Sequence, residues 1–215
     1  MVQSKQGLKN FDRYKVRGAY HWEWYATNKF AYRDLVHLTL SYFPNKGTIF
    51  DVGCGDGLIS YQLFRRGLHV TGIDPDGLAI DLGYEEIARA YRQSYPWIAL
   101  LLRLRGQDIR DYLTQKGLTL RKQSIYDVPV TERYDYALCH EVIEHVPDPE
   151  GLIRKVATVT RRFAIFTTPN GNYHTPSEDD YQLWNPESFL RLFGSRRATM
   201  VESSQARLVV HLEME

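Results

Sequence analysis

From residue 47 to residue 194 the chain alternates short apolar runs with stretches of helical spacing. No other feature of the sequence limits the fold as strongly. The runs GTIFDVG, HVTGID, LTLRKQSI, YDYALC and RRFAIFTTPNG read as buried strands. Between them, GLISYQLFRRG, DGLAIDLGYEEIARAYRQ and GLIRKVATVT carry the period of amphipathic helices. NPESFLRLFG adds an Asn cap, a proline at the first helical position and a closing glycine. Strands separated by helices make a parallel sheet covered on both faces, so the expected class is α/β. Two closing runs, RATMVESS and ARLVVHLEME, lie close enough together for an antiparallel pair.

Two regions fall outside this rhythm. Residues 1–44 form an aromatic and helical cap: the first ten are expected to be mobile, FDRYKVRGAYHWEWY is aromatic and basic, and helical spacing runs from Asn28 to Phe43. More than forty residues separate the second and third strands, where one helix needs about fifteen to twenty. The surplus, about residues 94–116, reads as one or two extra amphipathic helices. It is either a structural insertion, or a substrate lid or dimer surface. Residues 45–215 would then form one ligand-binding domain carrying that insertion.

The formal net charge is +1, so no global basic field points to nucleic acid, although Arg103, Arg105 and Arg110 supply a local basic strip. Cys54 and Cys139 form no C-x-x-C pair, which removes a zinc or disulfide framework. The polar start lacks the apolar core of a signal peptide, and the longest apolar stretch, WIALLL, is far too short to span a bilayer. A cytoplasmic setting without a membrane partner is the expectation, with the oligomeric state open.

The first strand runs into FDVGCGDG, residues 50–57, and then into a helix. Glycines 53, 55 and 57 let the backbone turn sharply and let a ligand approach the main chain. A dinucleotide loop needs G-x-G-x-x-G; here the third glycine comes one residue early and Leu58 takes its place. Asp51 and Asp56 would also repel a pyrophosphate. Both features favour a ligand with a cationic amine. Asp74 ends the second strand, where a carboxylate accepts both hydroxyls of a ribose; the plainer reading is a turn or helix cap before Pro75.

With IFDVGCGDGLIS, VTGIDPD, YDYALCHEVIEHVPDP and FAIFTTPNG in order, the chain resembles the class I S-adenosylmethionine-dependent methyltransferases over roughly residues 45–215. The resemblance implies a Rossmann-like, seven-stranded, mostly parallel sheet with its last strand antiparallel and helices on both faces. It implies that S-adenosylmethionine is the cofactor. Asp51, Gly53, Cys54 and Gly55 would line its methionine end, Asp74 and Pro75 the ribose, and Ser124 and Ile125 the adenine. His140 and Glu141 would pass beside the transferable methyl. Many relatives carry Asp where Ser124 stands, and a Pro-Gly-Gly turn where this chain has the tighter TVTRRFAIF.

The run HEVIEHVPDP, residues 140–149, is the candidate catalytic element. On an α-helical turn Glu141, Glu144 and His145 would share a face. A divalent cation, Mg2+ or Mn2+, could take all three and lower the pKa of a substrate hydroxyl. Alternatively, His145 acts directly as acid or base, or the side chains only bond neighbouring backbone. The run is similar to that of quinone and natural-product O-methyltransferases and of small-RNA 3′-terminal 2′-O-methyltransferases; the latter have a further histidine, for which His174 is the candidate here. In the N-terminal segment, Tyr20, Trp22, Trp24 and Tyr25 form either a lid or an ordinary packed cluster, with His21 as a candidate base. The leading expectation is methylation of a small-molecule hydroxyl on a sugar, a phenol or quinol, or another natural-product intermediate. The alternatives are 2′-O-methylation of an RNA 3′ end and a non-catalytic cofactor-binding module.

Overall fold

The computed structural model describes residues 13–177 and 180–214, arranged as two compact units that divide between Ser124 and Ile125. The expected mobile start lies outside the described residues.

The first unit opens with α1 (Arg13–Arg17), α2 (Tyr20–Thr27) and α3 (Tyr32–Ser41). There follow β1 (Thr48–Val52), α4 (Leu58–Arg65), β2 (His69–Asp74) and α5 (Gly77–Ser94). Next come α6 (Pro96–Leu104), α7 (Ile109–Lys116) and β3 (Leu118–Lys122). Its strands run in the order β3-β2-β1, all parallel, with Thr48 opposite His69 and Val70 opposite Leu118. Four successive residues of β1 are buried, as expected of a strand covered on both faces. The Asp76 carboxylate accepts the Leu78 and Ala79 N–H groups and starts α5. Buried Ala79, Ile80, Gly83, Tyr84, Ile87 and Tyr91 recur at helical spacing along it. The insertion is two helices, α6 and α7; Asp108 caps α7, and Gly117 ends it in the left-handed region.

The helix expected from Asn28 starts later. Residues 28–31 break it, with Asn28, Phe30 and Ala31 at φ of 53°, 56° and 53°. The Arg33 side chain explains the break. Its Nε donates to Tyr25 O at 3.0 Å and its Nη2 to Ala26 O at 2.6 Å, which satisfies carbonyls at the end of α2. The Asn28 Oδ1 in turn accepts the Arg33 N–H at 2.9 Å.

The second unit contains β4 (Tyr134–His140), α8 (Pro149–Val159), β5 (Thr160–Pro169), α9 (Pro186–Arg191), β6 (Ala198–Ser203) and β7 (Arg207–Glu213). Its strand order is β4-β5-β7-β6. β4 and β5 are parallel, and β7 is antiparallel to both its neighbours. The tight link read from TVTRRF is real: Thr160 is both the cap of α8 and the first residue of β5. Asn185 forms a reciprocal capping box with Ser188. Leu138, Cys139, Ile165, Phe166, Val209 and Val210 are fully buried. Seven strands, mostly parallel with β7 reversed, and their flanking helices make the expected α/β class. No helix among the described residues is long and apolar enough to cross a membrane.

Candidate functional site

In the first unit, the glycine loop is pinned to the end of β2. The Gly53 and Cys54 N–H groups both donate to Ile73 O, at 2.8 and 2.9 Å. Gly55 N–H donates to Asp74 Oδ2 at 3.0 Å, and Asp76 N–H donates to Asp74 Oδ1 at 2.8 Å. Each Asp74 oxygen therefore holds one backbone bond and keeps accepting capacity for a ligand hydroxyl. Burial raises the Asp74 carboxyl above its ordinary range, and the two backbone donors counter this.

Glycine is required at two loop positions. Gly55 has φ 54°, and a Cβ there would collide with the Tyr14 hydroxyl. Gly57 has φ 69°, and a Cβ would lie 2.6 Å from Leu120 Cδ1.

Asp51, at the end of β1, is 2% exposed and accepts the Ser60 hydroxyl at 2.6 Å. Burial pushes its carboxyl up to about 6. No cation pairs with it among the described residues, so a cationic amine would relieve its desolvation. A buried carboxylate open to a cation, a second carboxylate with spare accepting capacity at the end of β2, and backbone that tolerates no Cβ together fit S-adenosylmethionine. Burial and the Asp51, Asp74 and Asp56 carboxylates raise the Cys54 thiol well above its ordinary value, so Cys54 contributes backbone rather than thiolate chemistry. Pro75 is exposed, Ser124 is half-buried, and Ile125 is buried at the start of a 3₁₀ turn.

Asp56, in the same loop, is fully buried and holds the N-terminal segment. Its Oδ2 accepts the His21 backbone N–H at 3.0 Å, and its backbone oxygen accepts the Trp22 indole N–H at 2.9 Å. The His21 ring Nδ1 lies 3.1 Å from Asp56 Oδ1. Tyr14 and Tyr20 stack at 5.3 Å and are buried with Ala79, with Trp24 and Leu82 packed against them. Burial first, then Tyr20, Asp56 and Asp74, raise the Tyr14 phenol so far that it stays a neutral hydroxyl. Tyr14, Tyr20, Trp22 and Trp24 are thus packed on the glycine loop and α5, and Tyr25 pairs instead with His37 at 3.2 Å. Sequence reading treated Asp56 only as a group that repels phosphate and gave Tyr14 no role.

In the second unit, β4 delivers His140 and Glu141 to one threonine. Thr167 Oγ1 donates to Glu141 Oε1 at 2.8 Å, accepts Glu141 N–H at 3.1 Å, and lies 2.9 Å from His140 Nδ1. A hydroxyl has one proton, so with Glu141 ionised His140 Nδ1 must be the protonated nitrogen. Glu141 has φ 51°. Burial pushes its carboxyl up to about 7, partly offset by the Thr167 bond and the nearby Arg207. Arg207 is 3% exposed and pairs with Glu202 at 3.3 Å. Glu144 is 1% exposed; burial, then Glu141, raise it well above its ordinary range. Its Oε2 has no hydrogen-bond partner among the described residues.

The anticipated ligand set for a metal does not come together. Residues 143–145 form a 3₁₀ turn, not an α-helical one, and Glu141 precedes it. Glu144 therefore turns inward, while His145 points to Asp180, with Nδ1 to Oδ1 at 3.2 Å and Nε2 3.9 Å from Glu144 Oε1. His174 is exposed, in a turn where its N–H bonds Asn170 O. Among the described residues no three His, Cys, Asp or Glu side chains are placed to hold an ion. Thr167, Asp180 and Arg207 are the residues of this second-unit site that sequence reading missed. The acidic run EDDY on the return from β5 was the available signal for Asp180; Arg207 had none.

Comparison with known proteins agrees with this geometry. The family described as "Methyltransferase domain" matches residues 24–199. A ubiquinone biosynthesis O-methyltransferase from Nitrosomonas europaea is 29% identical over 185 residues, 81% of this chain and 67% of that protein. The protein of the same name from Aeromonas salmonicida is 32% identical over 117 residues, 53% of this chain and 38% of that protein. This chain thus spans between 38% and 67% of the length of these two relatives. Among solved structures, magnesium protoporphyrin IX methyltransferase from Synechocystis PCC 6803 with bound SAM has a TM-score of 0.56 and 15% identity. That match covers 98% of this chain and 87% of the other, and shows the shared fold. The four sequence motifs, the glycine-loop geometry and a family match across most of its length make this chain a member of the class I S-adenosylmethionine-dependent methyltransferases.

Proposed function

We propose that the chain transfers a methyl group from S-adenosylmethionine to the oxygen of a phenol- or quinol-type small molecule. The cofactor supplies an electrophilic methyl on a sulfonium. Asp51 takes the ammonium of its methionine end, and the backbone of Gly53, Cys54 and Gly55 lets that end approach. Asp74 accepts the ribose hydroxyls beside Pro75, and Ser124 and Ile125 flank the adenine. His140 and Glu141 serve the methyl-bearing end, with Thr167 fixing both side chains.

One observation carries the choice of acceptor: Thr167 holds the Glu141 carboxyl at the end of β4, where burial pushes it up to about 7. A phenolic hydroxyl titrates near 10, so proton transfer to such a base is uphill by about 4 kcal/mol. An unactivated alcohol, nearer to water at about 16, would demand about 12 kcal/mol. The names of the two curated relatives support the same acceptor class. Glu144 and His145 complete the acid/base group. His145 is oriented by Asp180 as His21 is by Asp56.

A route assisted by Mg2+ or Mn2+ requires His145 to leave Asp180 and Glu144 to turn outward. Turnover of a catechol or quinol panel with S-adenosylmethionine, with and without chelator, tests both points. Methylation of the phenolic oxygen that survives chelation is expected. Methylation of an RNA ribose alone, or cofactor binding with no turnover on any acceptor, would overturn the reading.

A further inference from the structure

The insertion between β2 and β3 leaves an apolar helix face in water. On α6, Trp97, Leu100, Leu101 and Leu104 are 67%, 57%, 39% and 75% exposed, and only Leu102 is buried. The spacing i, i+3, i+4 and i+7 puts the four on one stripe about 100° wide. At 100° per residue, Ile98 and Leu102 face inward, and Arg103 and Arg105 fall on opposite flanks of the stripe. Both arginines are exposed, and neither side chain forms a hydrogen bond or ion pair among the described residues. Tyr95, at the start of the helix, is 39% exposed. From Tyr91 to Gln107 the charged residues are Arg92, Arg103 and Arg105, with no acid among them.

We propose that this face of α6 docks on an anionic lipid surface, the helix lying in the interface with Trp97 and the leucines in the acyl boundary. Long apolar stems let Arg103 and Arg105 reach the headgroups on either side of the stripe. No helix among the described residues is long and apolar enough to span a bilayer, but lying on a surface requires only one apolar face, and α6 has it. A second copy of the chain fits less well. Arg103 and Arg105 stand at the C-terminal end and α6 itself carries no acid, so two such faces packed in parallel bring like charges together.

The test is co-sedimentation of the full chain with vesicles of phosphatidylcholine alone and with added phosphatidylglycerol, at low and high salt. Expected are binding to the anionic vesicles, weakening with salt, and a loss of about fivefold for each of Arg103→Gln and Arg105→Gln. The double variant Leu100→Glu, Leu104→Glu should lose binding while keeping its thermal melt and cofactor affinity, because both side chains are already in water. Subtracting the spectrum of Trp97→Phe should show blue-shifted emission from Trp97 on vesicles. No binding by the folded chain to any vesicle overturns the proposal. So does a dimer in size-exclusion chromatography that Leu104→Glu converts to monomer.

Discussion

His21 is tied to Asp56 through both its backbone and its ring. The main-chain N–H reaches Oδ2 at 3.0 Å and the ring Nδ1 stands 3.1 Å from Oδ1, across 35 positions of sequence. Asp56 belongs to the glycine loop, so this pair joins the N-terminal helices to the turn expected to receive the cofactor. Asp56→Ala should remove both His21 contacts, leave the Trp22 bond to the backbone oxygen, and lower stability by about 2–3 kcal/mol. Urea unfolding measures the loss. Limited trypsin digestion should show faster cutting at Arg13, Lys15 and Arg17; an unchanged cleavage rate would mean that other contacts hold the segment.

Gly55→Ala should act on the same segment by a different route. The left-handed backbone alone adds about 1–2 kcal/mol of strain, and the new Cβ displaces the Tyr14 hydroxyl. Combined with Asp56→Ala, the loss should be less than the sum of the two, because both variants release one packed unit. Additive free energies from urea melts would count against that coupling.

Stability should fall as pH rises. Glu141 and Glu144 both hold their protons to higher pH in the folded chain than in the unfolded one, and Asp51 shifts the same way. Between the ordinary carboxylate range and neutrality the folded state therefore binds more protons, so the stability gained at low pH is lost through that window. Tm should be higher near pH 5 than near pH 8. Glu144→Gln cannot ionise and should flatten part of the slope; a variant as steep as the parent would show that Glu144 is ionised throughout.

Thr167→Val should separate the groups at the end of β4. The Thr167 hydroxyl holds the Glu141 carboxyl down against burial. Without it the acid limb of the pH–rate profile with a catechol acceptor should move to higher pH, with a lower maximal rate as His140 loses its partner. Unchanged limbs would remove Glu141 from the proton transfer.

The strand alternation, the glycine loop, the Asn185 cap and the place of Asp74 were legible because each rests on local spacing or backbone conformation. The pairs His21–Asp56 and His145–Asp180 were not, since contacts across 35 residues leave no period to read. The break at residues 28–31 was hidden for a different reason: its cause is a local cap by the Arg33 side chain, which leaves the apolar spacing unchanged. The turn in HEVIEHVPDP is a different case. Val146 precedes Pro147, which favours extended backbone, and its φ of −112° and ψ of 143° are extended. A full α-helical turn through His145 was therefore already disfavoured by the sequence, and with it the shared face that a metal needed.

The strand order of the second unit also bears on how the chain is made. β7 lies between β5 and β6, so β6 emerges from the ribosome before the neighbour it pairs with. Until residues 207–213 follow, β5 presents an open edge carrying buried-type residues such as Ile165 and Phe166. The nascent chain thus passes through a window in which that edge can pair with another chain. Slowing translation between residues 198 and 213 should lengthen the window and raise the aggregated fraction.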